Sequence, residues 1–503
     1  MTNSHSGTSA FALAAVCLAS LMFGLEISSV PVILPILEKV LHGSFNELQW
    51  VMNAYTIACT AVLMAAGTLA DRFGRKRLFV ISIALFGITS LICGLAQSMG
   101  VLIVSRFLQG MSGGIMLITQ IAILSEQFQG ARKRGRAFGI WGIVFGIGLG
   151  FGPIIGGLIV AAIDWKWVFL VHVAIAALTL VLALGGVKES RDPDAKRLDI
   201  FGMITFSLAV FCLVYFITQG PSLGFTSTIA LSILAVSAAS LIAFIIIEMT
   251  HTYPMFDFSV FRVRNFSGAL LGSMAMNFSF WPFMIYMPIY FQGGLGYGSV
   301  ATGLALLAYT LPTLIFPPLG EKLSLHYQPG VVIPAGLFTI GLGFALMWLG
   351  SGGASASWLT MLPGSLLAGI GLGITNTPVT NTTTGSVQSS RAGMASGIDM
   401  SARMTSLAIN IALMGFILVS GVASYIERIK PGIDVAKLHS TAEGVASGNI
   451  AGVEALLSAP VVREALIHGF GWVMLYGAVG VWILAAISFV VFRKGRVAAP
   501  SPA

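Results

Sequence analysis

The sequence predicts an all-α membrane protein with 14 transmembrane helices. Three observations carry this: 56% of the 503 residues are apolar against 9% charged, apolar runs of bilayer-spanning length recur along the chain, and Lys and Arg gather in alternate connections. Mean hydropathy is +0.91. A soluble domain carries roughly a quarter charged residues, and so few charges cannot coat a water-facing surface. A soluble enzyme, a disordered scaffold and a secreted disulfide framework are therefore excluded. The net charge of +8 reads as membrane topology and not as nucleic-acid binding. Cys17, Cys59, Cys93 and Cys212 lie inside apolar runs without the spacing of a metal site or a disulfide framework, so we expect small core residues and no metal.

A helix needs about 20 apolar residues to cross the hydrocarbon layer. Runs of that length, broken by charges or by Gly/Pro clusters, place helices 1 to 14 at 11–35, 48–70, 78–98, 102–124, 137–160, 167–187, 200–219, 227–248, 267–291, 300–320, 331–350, 358–379, 396–422 and 470–492. The first run follows a polar start without Lys or Arg and is too long for the apolar part of a leader, so we expect it to stay. Connections after even-numbered helices, with the C-terminal tail, hold 19 of the 27 basic residues, against six on the other side. Both termini are therefore expected in the cytoplasm of a multi-pass cell-membrane protein.

The charged segment 188–199 follows six helices and precedes eight. With helices 7 and 8 as an inserted pair, the remainder is six plus six, the arithmetic of a duplicated transporter. The expected units are a six-helix bundle over 1–187, linker and extra helices over 188–265, a second bundle over 266–492 and a tail over 493–503. Residues 425–469 form the one connection long enough for an outer element. A degraded echo supports duplication: the segment 67–77 after helix 2 has a counterpart at 321–329 after helix 10.

Ionisable groups inside a bilayer cost a few kcal/mol or more, so each needs a reason. Glu26 lies in helix 1 among Ser28, Ser29, Pro31 and Pro35. Low dielectric penalises its charged form, which makes it a candidate proton carrier, and its charge attracts cations. Competition of proton and cation for one carboxylate is the minimum logic of an antiporter. Arg106 in helix 4 must find an acceptor, Glu26 or a backbone carbonyl. Asp399 and Arg403 are one helical turn apart and read as an interfacial structural ion pair.

Helix 5 is dense in Gly142, Gly146, Gly148, Gly150, Gly152, Gly156 and Gly157, with Pro153. Small residues four apart let a helix come close, and the proline bends it, the marks of a sliding contact. Helix 9 carries Phe278, Phe280, Trp281, Phe283, Tyr286, Tyr290 and Phe291 beside Asn277. Asn277, Trp281 and Tyr286, with Glu26, are the candidate substrate contacts, since aromatic faces suit a flat lipophilic cation; lipid-facing aromatics are the competing account. Neither a phosphate-binding loop nor His-Glu-x-x-His nor Cys-x-x-Cys occurs, so no enzyme activity and no cofactor are expected, and energy is expected from a gradient.

These motifs resemble the fourteen-helix drug:proton antiporter branch of the major facilitator superfamily over essentially the whole chain. The most specific is Gly67-x-Leu-Ala-Asp71-Arg72-x-Gly74-Arg75-Lys-Arg77, similar to the superfamily signature after helix 2. The resemblance implies that Asp71 and the arginines latch the two halves on the cytoplasmic side, Asp71 near the N-terminus of helix 13. Arg106-x-x-Gln109-Gly110 resembles the helix 4 motif, whose arginine is implicated in proton coupling. Gly148, Gly152, Pro153, Gly156 and Gly157 match the helix 5 motif associated with exporters. Glu26, Ser28 and Pro31 stand where the helix 1 motif has Asp, Thr and Asn, and His172 stands where the helix 6 motif beginning at Trp165 ends in Asn. Ala395 to Arg403 is similar to a further motif whose Gln-x-Gly-Gly continuation is absent.

The resemblance implies a proton-driven exporter of drugs or other lipophilic and cationic small molecules, without cofactor, acting as a monomer on substrate and protons in the lipid bilayer. Glu26 and Arg106 would couple the proton as helices 1–6 rock against helices 9–14. Departures fall in the cavity-lining helices, so an exporter of one metabolite, siderophore or amino-acid-like compound stays open. A transport-dead sensor or scaffold is the alternative outside the class.

Overall fold

The computed structural model describes residues 3–493 apart from 129–130, 192–198, 251–257, 353–355, 388–391, 448–452 and 454–456. The described chain is helical: α1 (Asn3–Leu41), α2 (Phe45–Phe73), α3 (Arg75–Gly94), α4 (Met99–Gln127), α5 (Ala131–Ala162), α6 (Trp167–Gly186), α7 (Ile200–Leu223), α8 (Thr228–Thr250) and α9 (Arg264–Ile289) lead into a π-turn at Tyr290–Gly294. Then follow α10 (Ser299–Ile315), α11 (Pro317–Tyr327), α12 (Pro329–Ser351), α13 (Trp358–Gly385), α14 (Ala392–Ile429), α15 (Val435–Ala446) and α16 (Ala459–Arg493). Local chemistry sets the ends. Ser44 and Glu47 form a capping box at α2, Ser98 caps α4, and the Asp199 carboxylate accepts the Gly202 N–H at 2.8 Å to start α7.

Among the described residues, eleven helices are long and apolar enough to cross a bilayer, or twelve with α10 and α11 taken as one span bent by 45°. The bend falls within the helix expected over 300–320. Pro317 and Pro318 remove two successive backbone donors, and the ladder breaks at Phe316. α9 is less apolar, because Asn265, Ser273, Asn277 and Ser279 dilute it. Ser273, Asn277 and Ser279 are buried, so the dilution serves packing inside the protein.

α1 packs on α5 and α6, α3 on α4 and α6, and α2 on α4. Further along, α12 lies against α13 and α16, α9 against α14 and α16, and α10 against α13. The two groups meet through α5 with α10, α2 with α14, and α1 with α9. α7 and α8 pack on each other, and α7 leans on α2 and α14. The segment 425–469 contains the end of α14, the short helix α15 and the start of α16. Asp434 caps α15 by accepting the Ala436 and Lys437 N–H groups.

Candidate functional site

Glu26 is brought to Arg106 by the crossing of α1 and α4, and both side chains are fully buried. The Arg106 Nη1 group donates to Glu26 Oε1 and to Gln109 Oε1 at 2.6 Å. Its Nε donates to the Val51 carbonyl at 2.9 Å, and its plane lies 4.4 Å from the centre of the Tyr55 ring. The charge is thus held by a carboxylate, an amide, a carbonyl and an aromatic face, the set of partners that makes a buried guanidinium tolerable. Gln109 is oriented in turn by donating to Ser90 Oγ at 2.8 Å. Among the described residues Glu26 Oε2 accepts no hydrogen bond, and it lies 3.5 Å from Nδ1 of the buried His172. Arg106 Nη2 likewise has no hydrogen-bond partner among the described residues.

The backbone around Glu26 is shaped by its neighbours. Ser28 Oγ donates to the Gly24 carbonyl of its own helix and to the Gly148 carbonyl of α5, each at 2.9 Å. Ser29 Oγ donates to the Leu25 carbonyl at 2.7 Å. These bonds satisfy both hydroxyls on backbone carbonyls inside the protein and tie α1 to α5 beside Glu26.

A narrow apolar cavity adjoins this cluster. Ile27, Met52, Tyr55, Thr56, Trp281, Met284, Ile285, Met404 and Leu407 line it, so it lies between α1, α2, α9 and α14. Tyr55 belongs to both places, its ring forming cavity wall on one hand and supporting Arg106 on the other. Glu26 does not line the cavity; it sits behind this wall.

Of the helix 9 candidates, Trp281 lines the cavity, whereas Asn277 donates to the Ser273 carbonyl of its own helix at 3.2 Å and Tyr286 donates to the Ile411 carbonyl of α14. The other aromatics pack inward: Phe280 stacks on Tyr309 with centroids 4.0 Å apart, and Phe283 meets Phe344 and Phe470. Asp399 and Arg403 lie 3.1 Å apart, and both are buried inside the protein. Arg403 also donates to Asn376 Oδ1 at 2.6 Å and Thr380 Oγ1 at 3.0 Å, and Asp399 accepts from Ser273 Oγ, so the pair ties α14 to α13 and α9.

In the signature after α2, the side chains of Gly67 and Asp71 lie outside the described residues. Gly74 adopts φ +111° between α2 and α3. Glu189, beyond α6, accepts the Lys76 and Arg77 backbone N–H groups at 3.1 Å each, a carboxylate seated at the positive end of α3. Arg75 pairs with Glu126 at 3.1 Å. Arg72 is exposed with its guanidinium 5.5 Å from the Phe73 ring. The glycines of α5 serve two neighbours: Gly148, Gly152 and Gly156 face α1, and Gly157 faces α10.

Sequence reasoning did not assign chemistry to His172 or Tyr55. His172 had a signal, as the one ionisable residue in the otherwise apolar α6; Tyr55 had none, since its role depends on what lies on either side of its ring. Among the described residues, no three His, Cys, Asp or Glu side chains gather as a metal site would require.

The family model described as Major Facilitator Superfamily matches residues 16–411. The chain belongs to this superfamily. Its relatives include the multidrug resistance protein Stp of Mycobacterium tuberculosis, 32% identical over 87% of this chain and 81% of that one. The tetracenomycin C resistance and export protein of Streptomyces glaucescens is 28% identical over 96% of this chain and 91% of its own length. The puromycin resistance protein pur8 of Streptomyces alboniger is 29% identical over 82% of each. Among solved structures, the inward-facing, unoccupied bacterial homolog of the human lysosomal transporter Spinster aligns with TM-score 0.65 at 15% identity over 97% of both chains, a likeness of fold. This major facilitator chain is thus a multi-span membrane transporter and not an enzyme, with drug-resistance exporters among its relatives.

Proposed function

We propose that the protein exports drugs or other lipophilic, cationic small molecules in exchange for protons. The carrying observation is the fully buried Glu26–Arg106 pair, separated from an apolar cavity by the Tyr55 ring. A carboxylate so placed stores or releases a proton according to its distance from the guanidinium, and Tyr55 conveys substrate arrival to that distance because it touches both. Since Glu26 does not line the cavity, a cation and the proton compete through this wall and not for one shared position. Trp281 supplies the aromatic contact to substrate; Tyr286 ties α9 to α14 beside it, and Asn277 bonds within α9. Relatives that confer resistance to tetracenomycin C and puromycin support export of such compounds over import.

In this reading the chain crosses the membrane fourteen times, with α10 and α11 as one broken span and both termini cytoplasmic. The units 1–187 and 266–492 rock about the cavity, α7 and α8 stay peripheral, and the monomer needs no cofactor beyond the proton gradient. Asp71 and the basic residues after it latch the cytoplasmic side.

The test is proton flux in proteoliposomes, comparing the wild type with Glu26→Gln while tetraphenylphosphonium, puromycin and a set of neutral or anionic metabolites are added. Cation-evoked proton release that vanishes in the variant supports the reading. Release evoked by a metabolite alone points to a dedicated exporter, and undiminished release by Glu26→Gln removes the carboxylate from the mechanism.

A further inference from the structure

We propose that His172 shares the coupled proton with Glu26, the proton residing between His172 Nδ1 and Glu26 Oε2 and not on the carboxylate alone. The inference rests on the reading of Glu26 as proton carrier and adds a second acceptor to it. Both ring nitrogens of His172 face acceptors. Nδ1 lies 3.1 Å from the Val168 carbonyl and 3.5 Å from Glu26 Oε2, and Nε2 lies 3.2 Å from the Met22 carbonyl. A neutral imidazole has one N–H and one lone pair, so either tautomer of the fully buried His172 points a lone pair at a carbonyl oxygen. The imidazolium alone gives a donor to each side, and Glu26 Oε2, which accepts no other hydrogen bond among the described residues, faces it.

The surrounding charges favour sharing. α1 presents Glu26 to the ring. α4 presents Arg106, whose guanidinium lies 5.9 Å from the ring of Phe169, one turn before His172. α2 adds the Tyr55 hydroxyl, and α3 adds the Cys93 thiol, which donates to Gln109, together with the Phe86 ring set edge-on at 5.8 Å. The stretch of α5 from 137 to 162 carries no ionisable residue. Glu26 and Arg106 cancel, so one added proton makes the cluster +1 wherever it sits, and its passage between Oε2 and Nδ1 changes no net charge. Tightening the Glu26–Arg106 pair or withdrawing α1 from α6 weakens the hold of the shared site on its proton, which suits release on substrate loading, whereas loosening the pair suits uptake.

The test is the pH dependence of tetraphenylphosphonium-evoked proton release in proteoliposomes for wild type, His172→Gln and His172→Asn. An amide can still donate to the carbonyls but does not titrate, so a purely structural tie between α6 and α1 leaves the pH midpoint where it is. Loss of a proton acceptor moves the midpoint to lower pH, by about 0.3 units if the two sites share equally and further if the imidazole holds the larger part. A midpoint that stays or rises overturns the proposal, a rise meaning that neutral His172 stabilises the carboxylate by donating to it. Glu26→Gln, run beside them, separates the two ideas: undiminished release there defeats the reading of Glu26, whereas its loss with an unmoved His172→Gln midpoint defeats the sharing alone. A readout free of substitutions is infrared difference spectroscopy of the wild type labelled on its histidine rings. Adding tetraphenylphosphonium at fixed pH should diminish an imidazolium band, and unchanged histidine bands would overturn the assignment.

Discussion

Gly148 of α5 lies against Gly24 of α1, so near that a Cβ on Gly148 would stand 3.2 Å from the Gly24 Cα. Ser28 seals the crossing by donating to the Gly148 carbonyl at 2.9 Å, two residues from Glu26. One turn on, Gly152 faces Ser28, and another turn on Gly156 faces Ser29. The opposite side of α5 meets α10: Thr310 donates to the Gly150 carbonyl at 2.7 Å, and a Cβ on Gly157 would stand 2.6 Å from the Ser299 carbonyl oxygen. The glycine helix therefore joins the helix that carries Glu26 to the second group of helices, and Cα–Cα closeness is what permits both contacts.

A side chain at position 152 has no room beside Ser28. Gly152→Val should destabilise the protein by about 1–3 kcal/mol, seen as a lower Tm of the purified protein in detergent. Gly142, with nothing within 4 Å of its would-be Cβ, is the control, and Gly142→Ala should melt with the wild type. Equal melting of Gly152→Val and wild type would contradict the close crossing.

The buried ion pair should be asymmetric under substitution. Arg106→Gln strands the Glu26 carboxylate in the interior, a loss of about 3–5 kcal/mol, measurable as a large fall in Tm. Glu26→Gln/Arg106→Gln removes both charges and should recover most of that stability while still lacking cation-evoked proton release. A double variant no more stable than Arg106→Gln would argue that the pair is not the dominant partner on either side.

Arg403 uses Nε and Nη2 on Asp399 and reaches Asn376 and Thr380 besides. An ammonium cannot reproduce that fork. Arg403→Lys is expected to cost about 1.5–3 kcal/mol, the range for a lost charged hydrogen bond, with proton release per transported cation unchanged. A changed ratio would give the pair a part in coupling.

The Glu189 carboxylate occupies the space a side chain at Gly74 would need, with Cδ 2.7 Å from the would-be Cβ. Gly74→Ala must relieve both this clash and φ +111°, about 1–3 kcal/mol of strain, by releasing Glu189 from the start of α3. Trypsin should then cut faster at Arg75, Lys76 and Arg77 than in wild type, and Glu189→Ala should mimic the effect. Unaltered cleavage in both would show that the cap does not hold this connection.

Helix positions were legible because a bilayer imposes length and apolarity on whatever crosses it. Ser9–Leu41 and Trp167–Gly186 meet that requirement in one dimension. Glu26 and Arg106 stood out for the same reason: a charge in an apolar run is costly enough to need an explanation wherever the helix goes. The sequence could not decide that Arg106 takes both Glu26 and the Val51 carbonyl, since that depends on where α4 crosses α1 and α2. Nor could it separate Trp281, on the cavity wall, from Tyr286, five residues on and bonded to α14, because both are aromatic residues of one helix and only its rotation among its neighbours distinguishes them. The buried setting of Asp399 and the arrival of His172 beside Glu26 are of this kind. Composition and spacing determine what each helix must bury. The crossing of helices, held near by glycines at α1 and α5, decides which buried polar groups meet, because short-range hydrogen bonding at 2.6–3.5 Å exists only after packing has brought the atoms together.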